Sequence, residues 1–340
     1  MDQSHIYIIF FLFILIQIIF VFNFDKLASF LNLYDAPDKI RKKHLGKTPL
    51  LGGVIIFSSI LFNYFLTLLD TSFISDSKFF FINQNSYVYF MLACFLMFCI
   101  GLIDDKYNIS YLIKIISTAI VIFTIIYFDK DVSINSIQFS FYSERIDTSK
   151  VSMIFTTLCF LLFINAINMF DGIDGQVGLY SLLILSFILT LIGLNYFIIF
   201  FLLSFFTFLY LNLNKKCFLG DSGTILIGFI FSYILIKLYN NGFIHFADKI
   251  FLIMIIPGLD MLRLFAERLI KKKNPFKGDD NHIHHLLQNK IGKNKSILFI
   301  QVLIIAPVVL SIYFNLLMLN FLTTIIYFLI IIILKSSKVN

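Results

Sequence analysis

The segment NAINMFDGIDGQ, Asn165 to Gln176, puts amides, carboxylates and glycines at the end of the apolar run FTTLCFLLFI. Asn165 and Asn168 stand three apart and share one helix face. Asp171 continues that face, and Asp174 follows if the turn persists. Gly172 and Gly175 leave room for backbone to approach a ligand. Amide and carboxylate oxygens at this density suit a hard cation such as Mg2+ and the phosphates it binds. A helix C-cap and turn would draw on the same residue types, but four polar residues in register exceed what a cap needs.

Four other segments have similar chemistry. In GLIDDKYN, Asp104 and Asp105 close an apolar run. A carboxylate at membrane depth costs about 2.5–3.5 kcal/mol and usually marks function. Adjacent carboxylates repel, and a divalent cation or a raised pKa is the usual resolution. In KKCFLGDSGT, Gly220, Asp221, Ser222 and Gly223 open another apolar run. A glycine-rich turn there offers free backbone N–H groups to anions, or Asp221 is an ordinary N-cap. In PGLDMLRLFAERLIKKKNPFKGDDNHIHHLL, Asp260, Arg263 and Glu267 have helical spacing, and His282, His284 and His285 follow two aspartates. The histidine spacing is not that of a zinc protease, and no cysteine is near. The Lys and Arg residues from Arg268 to Lys277 favour phosphate, or equally a topological anchor. In YDAPDKIRKKHLGKTPLLGG, Lys47 and Thr48 stand at the membrane edge beside Gly52 and Gly53 as further phosphate candidates.

Positioning these residues requires a membrane scaffold. The chain of 340 residues is 59% hydrophobic, 18% aromatic and only 14% charged, which excludes a soluble fold and predicts an all-α polytopic membrane protein. A spanning helix needs roughly 20 apolar residues. Eleven runs qualify, at 5–23, 50–69, 86–103, 109–128, 152–170, 176–194, 196–213, 222–240, 247–264, 296–314 and 316–334. The sixth and seventh are separated by little more than LIGLN, and one broken helix there would reduce the count to ten. The first run has neither a positive start nor a cleavage site, so it reads as a retained helix. No repeat or linker divides the chain, so 1–340 reads as a single transferase domain. The four cysteines form no CxxC pair, which argues against disulfide or zinc frameworks.

Every Lys and Arg except Lys78, Lys130, Arg145, Lys150, Lys237 and Lys249 falls on one side of this arrangement. The positive-inside rule puts that side in the cytoplasm, with the N-terminus outside and the C-terminus inside. The net charge of +7 then reflects loops facing an anionic leaflet, not nucleic acid. The exterior segment DKDVSINSIQFSFYSERIDTSK alternates and predicts a short hairpin. All the acidic and histidine clusters fall on the cytoplasmic side. Together they fit a Mg2+-dependent reaction on a phosphorylated substrate at the bilayer surface.

From Asp35 to Leu287 the chain resembles the polyprenyl-phosphate N-acetylhexosamine-1-phosphate transferases. These share a superfamily with the phospho-MurNAc-pentapeptide translocase. The motifs occur in the family's order: the basic loop ending Pro-x-x-Gly-Gly, the Asp-Asp pair, NxxNxxDGxDG, GDxG and HIHH. The resemblance implies transfer of N-acetylhexosamine 1-phosphate, with GlcNAc the first expectation, from a UDP-sugar to undecaprenyl phosphate. UMP is released, and the reaction initiates a cell-surface polysaccharide at the inner (cytoplasmic) membrane. It implies Mg2+ as cofactor, with Mn2+ as a substitute, and leaves a homodimer open.

By similarity Asp221 and Asn168 are the metal ligands, and Asp104, with Asp105 beside it, deprotonates or positions the lipid phosphate. Asp171 and Asp174 serve the nucleotide side. His282, His284 and His285 hold diphosphate or sugar, supported by Arg263 and Arg268. Lys47, Thr48 and Asn165 complete the substrate set, with Asn212 or Asn214 near the base. Asn108 stands where relatives often have a third Asp, and Asp279-Asp280-Asn281 departs from the family's usual residues before the histidines. The HIHH ending favours the N-acetylhexosamine transferases over the pentapeptide translocase. A transporter would place its carboxylates within the spans and show an inverted repeat, and an inactive scaffold would not retain the whole acidic set.

Overall fold

The structure is a computed structural model that describes residues 3–35, 46–69, 79–81, 83–275 and 280–336. Part of the basic loop (36–45), Lys78, Lys277 and Asp279 lie outside the described residues.

The described chain is almost entirely helical. The helices are α1 (Gln3–Leu31), α2 (Gly52–Leu69), α3 (Gln84–Tyr107), α4 (Tyr111–Phe128), α5 (Ser152–Phe170) and α6 (Gln176–Ile192). They continue as α7 (Tyr196–Leu213), α8 (Gly220–Asn240), α9 (Ala247–Ile270), α10 (Ile283–Ile291), α11 (Lys293–Leu310) and α12 (Leu316–Ser336). Among the described residues nine helices are long and apolar enough to cross a membrane. Each of the eleven expected spans lies on a helix; α6 is shorter, and α9 carries more charge than the other spans. The sixth and seventh are separate helices. Gly193 turns the chain at φ +80°, and the Asn195 side chain caps α7 by accepting from Ile198 N at 3.2 Å. The first helix runs beyond the predicted 5–23 to Leu31, because nothing in DKLASFL breaks a helix.

The chain forms two compact units, Met1–Val121 with Ile184–Ile227, and Ile122–Leu183 with Gly228–Asn340. In the first, α2 packs on α3 and α7. Phe13, Phe62, Leu66 and Phe200 form a buried cluster, and Phe57 stacks on Phe98 at 4.3 Å. Two short strands, β1 (Tyr34–Asp35) and β2 (Thr48–Pro49), pair antiparallel. The chain after β2 is joined to the loop before α8. Phe218 N donates to Pro49 O at 2.9 Å, Gly52 N to Phe218 O at 3.0 Å and Gly53 N to Leu219 O at 3.1 Å. A Cβ on Gly52 would lie 2.6 Å from Leu219 Cα, and one on Gly101 of α3 would lie 2.3 Å from Ser222 Cα. These glycines let three segments converge on the start of α8.

In the second unit α9 packs against α5, α11 and α12. The expected hairpin is present: β3 (Ser136–Ile137) pairs with β4 (Ile146–Asp147). Asp248 at the start of α9 accepts from Ser140 N at 3.1 Å, and Tyr239 OH accepts from Gln138 N at 2.7 Å. Beside the hairpin lies a fully buried ion pair, Lys237 Nζ to Asp129 Oδ1 at 2.9 Å, completed by Tyr233 OH donating to Asp129 Oδ2 at 2.7 Å. Removing one partner of such a pair strands a charge in low dielectric. Lys237→Met should therefore cost about 3–5 kcal/mol, read as a lower melting temperature in detergent, with partial recovery when Asp129→Asn is added. An unchanged melting temperature would refute this account of the pair.

Candidate functional site

In the first unit the site is built at the N-terminus of α8. Gly220 begins the helix at φ +75°. The free amides of the first turn are capped by Asp105 from α3: Oδ1 accepts from Asp221 N at 2.7 Å and Oδ2 from Ser222 N at 3.0 Å. Asp221 is thus not the cap of its own helix, because that role is taken by a carboxylate from a distant segment. Its side chain is left to bind elsewhere. Lys114, at the start of α4, donates from Nζ to Asp221 Oδ1 at 2.7 Å and forms an ion pair with Asp104. Asp104 is buried, whereas Asp221 keeps 32% of its side chain exposed. One ammonium bridging two carboxylates marks a position that concentrates negative charge on oxygen, the donor type that Mg2+ prefers.

The turn after Asp105 has its own requirement. Asn108 ends α3 at φ +49°, and its N–H donates to Asp104 O at 2.8 Å. Asn tolerates this left-handed conformation better than most residues, which suits Asn108 to the turn. Thr48 is buried in β2, and Lys47 is exposed beside it. Asn212 is buried and donates from Nδ2 to Cys217 O at 2.8 Å, so its amide nitrogen bonds the loop before α8.

In the second unit, α5 carries Asn165 and Asn168. Asn165 Nδ2 donates to Leu161 O at 2.7 Å, and Asn168 is half-buried one turn further on. The helix ends at Phe170. Asp171 is its exposed C-cap, with its N–H donating to Ile167 O at 3.1 Å, so the shared face stops one residue earlier than the spacing suggested. Asp174 lies beyond the break and pairs with Lys293 Nζ at 2.5 Å.

The histidines sit at the start of α10. Asp260 of α9 takes Arg263 Nη2 (2.8 Å), Tyr327 OH (2.8 Å) and Ile283 N (3.1 Å) on Oδ1, and faces His282 Nδ1 at 2.9 Å with Oδ2. The His282 and His284 rings stack at 5.1 Å, and the His284 and His285 rings meet edge-to-face at 4.3 Å. Burial, then the neighbouring rings of His285 and His282, push the His284 imidazole well below its ordinary pKa. Burial, then His282, lowers His285. Both therefore stay neutral at neutral pH. Asp260, His282 and His284 bring ligand atoms within 4.8 Å of one another. Four hydrogen bonds already occupy the Asp260 oxygens and Arg263 balances its charge, so this set is not open to a cation. Arg268 is buried and donates from Nη1 to Pro275 O at 2.8 Å.

Residues 87–239 match the family described as glycosyl transferase family 4. An undecaprenyl-phosphate alpha-N-acetylglucosaminyl 1-phosphate transferase of Thermotoga maritima is 32% identical over 301 residues, covering 86% of this chain and 82% of the relative. The enzyme of that name from Escherichia coli K12 is 31% identical over 282 residues, covering 79% and 72%. That of Yersinia pestis is 29% identical over 288 residues, covering 80% and 74%. The chain belongs to glycosyl transferase family 4.

As a member of that family this protein is a phosphoglycosyl transferase. Its structure brings together Asp104, Asp105 and Asp221 in the first unit, and His282, His284, His285 and Arg263 in the second. Asn168 falls in the other unit from Asp221. In the sequence Lys114 reads only as one more topological charge, and no motif singles out Lys293 or Tyr327. The available signal for Lys114 was a lone cation in the first turn of an apolar helix.

Gly172, in the turn after Asp171, supports the histidine block. A Cβ there would lie 1.8 Å from His284 Nε2. Gly172→Ala should therefore displace His284 and lower turnover on the order of 100-fold, the scale of a 1 Å misplacement, with helical content retained by circular dichroism. Full turnover in that variant would show that the ring's position is immaterial.

Proposed function

We propose that this transferase moves GlcNAc 1-phosphate from UDP-GlcNAc to undecaprenyl phosphate at the cytoplasmic face of the cell membrane, the first step of a surface polysaccharide. An oxygen of the lipid phosphate forms a bond to the sugar-side phosphorus of the nucleotide diphosphate. The bond from that phosphorus to the bridging oxygen breaks, and UMP leaves with the electron pair. The names of the relatives support undecaprenyl phosphate as acceptor and N-acetylglucosaminyl 1-phosphate as the group moved. The observation that carries the reading is the Asp104–Lys114–Asp221 bridge at a capped helix N-terminus.

In this reading Asp221 is the carboxylate that would hold Mg2+, and the ion, when bound, neutralises diphosphate charge. Asn168 remains the second proposed ligand on the resemblance alone, and Mn2+ would substitute. Asp104, buried beside an ammonium, positions the lipid phosphate, and Lys114 offers that phosphate a cation. Asp105 orders the α8 turn and touches no substrate. Asp171 and Asp174 serve the nucleotide, and the histidines with Arg263 serve the diphosphate or sugar. The N-terminus lies outside and the C-terminus inside.

The decisive assay is UMP release in detergent with undecaprenyl phosphate, Mg2+ and a panel of UDP-sugars. Release with UDP-GlcNAc that EDTA abolishes is expected. Release only with UDP-MurNAc-pentapeptide would replace the proposed donor, and release unaffected by EDTA would remove the metal. Asp221→Asn and Asp104→Asn should abolish turnover without loss of membrane insertion. Lys114→Gln should lower it by about 100-fold or more, the scale for one lost electrostatic donor. Near-normal turnover in Asp221→Asn would end the metal assignment.

A further inference from the structure

We propose that Asp260 is a positioning residue for the transfer. It fixes the proton of His282 on Nδ1 and so leaves Nε2 as the nitrogen that meets a phosphate oxygen of the nucleotide sugar. The inference rests on the function proposed above and assigns a task that the motif histidines cannot perform for themselves.

Asp260 is buried, and its two oxygens are divided. Oδ1 accepts from Arg263, Tyr327 and the backbone of Ile283, while Oδ2 faces His282 Nδ1 at 2.9 Å. An ionised carboxylate only accepts hydrogen bonds, so the nitrogen facing it carries the hydrogen. His282 Nε2 has no hydrogen-bond partner among the described residues. The carboxylate cannot rotate away, because its other oxygen is held from three directions.

Those three donors are themselves anchored. Arg263 Nε donates to Tyr327 OH at 2.8 Å, Arg263 Nη1 to Glu267 at 2.8 Å and Arg263 Nη2 also to Asn281 O at 2.7 Å. Lys335 holds Glu267 at 2.6 Å. An ion pair that only stabilised α9 would need Arg263 and Asp260, one turn apart. It would not need a tyrosine from the last helix, nor one carboxylate oxygen given over to an imidazole. His284 and His285, held neutral beside it, add no positive charge to the block.

The charged and titratable groups around His282 are Asp260, Arg263 and Glu267 on α9 and Tyr327 and Lys335 on α12. Beside them are His284 and His285 on α10 and Asp280 in the loop before it. Lys293, at the start of α11, is paired with Asp174. Two substitutions act on this set with opposite sign. Asp260→Asn keeps an oxygen for Arg263, Tyr327 and Ile283 but turns an NH2 toward Nδ1. That moves the ring hydrogen to Nε2 and removes the negative charge. Tyr327→Phe takes one donor from Asp260 and leaves more of its charge for His282.

The test is UMP release by the full-length protein across pH, with nitrogen-15 NMR of labelled histidine. Asp260→Asn should lower kcat on the order of 10–100-fold, the scale for losing a histidine's orienting partner, with a smaller change in KM. The limb of the kcat profile that reports His282 should move to lower pH, and the NMR signature should switch tautomer. Tyr327→Phe should move the same limb to higher pH, and it provides the test alone if Asp260→Asn does not fold. Limbs unmoved in both variants, or moved in the same direction, would overturn the inference and leave Asp260 a structural residue. No release from the wild-type protein would instead count against the proposed function.

Discussion

The pair of hydrogen bonds from the Asp221 and Ser222 amides to the Asp105 carboxylate is the constraint on which the acidic site depends. A helix N-terminus at a membrane surface has amides without partners and a partial positive charge. Asp105 satisfies both from another helix. Once it does, Asp221 is released from the usual work of a helix-start aspartate, and its carboxylate takes Lys114 instead. The turn must also be thin. Gly52, Gly53 and Gly101 abut it so closely that a methyl group at any of them would collide with its backbone. The glycines of the Pro-x-x-Gly-Gly segment therefore serve the GDSG turn, which is far away in sequence.

Charge compensation organises the remainder. Asp104 and Asp221 would repel each other, and Lys114 bridges them. Asp260 is buried with Arg263, and Asp129 with Lys237. Inside a bilayer each such pair costs desolvation, and breaking one strands a charge. Two pairs differ in what surrounds them. Asp129 and Lys237 are closed by a tyrosine and lie fully buried beside the β3–β4 hairpin, which suits a structural role. Asp221 keeps an exposed face, which suits a ligand.

The histidine block shows the same economy. His284 is buried against Gly172 with neither ring nitrogen bonded, and that burial keeps it neutral. His282 takes the one carboxylate oxygen that the arginine and tyrosine leave open. Three histidines within four residues thus have different surroundings, set by what packs on each.

Much of this architecture was readable from the chain. Apolar runs of roughly 20 residues identify spanning helices almost without tertiary information, and all the runs fell on helices. The alternation in DKDVSINSIQFSFYSERIDTSK anticipated the hairpin, and the acidic and histidine motifs stood out because polar groups at membrane depth are costly. Pairing of side chains far apart in sequence was not readable. Lys114 reaches Asp221 across 107 residues, and Tyr327 reaches Asp260 across 67. Hydropathy determines which segments enter the membrane and which polar residues stand at their ends. It carries no information on which helices become neighbours. The cap on α8, the cation between the two aspartates and the partner of His282 were decided only by how the helices pack, because a hydrogen bond depends on distance in space and not on spacing along the chain.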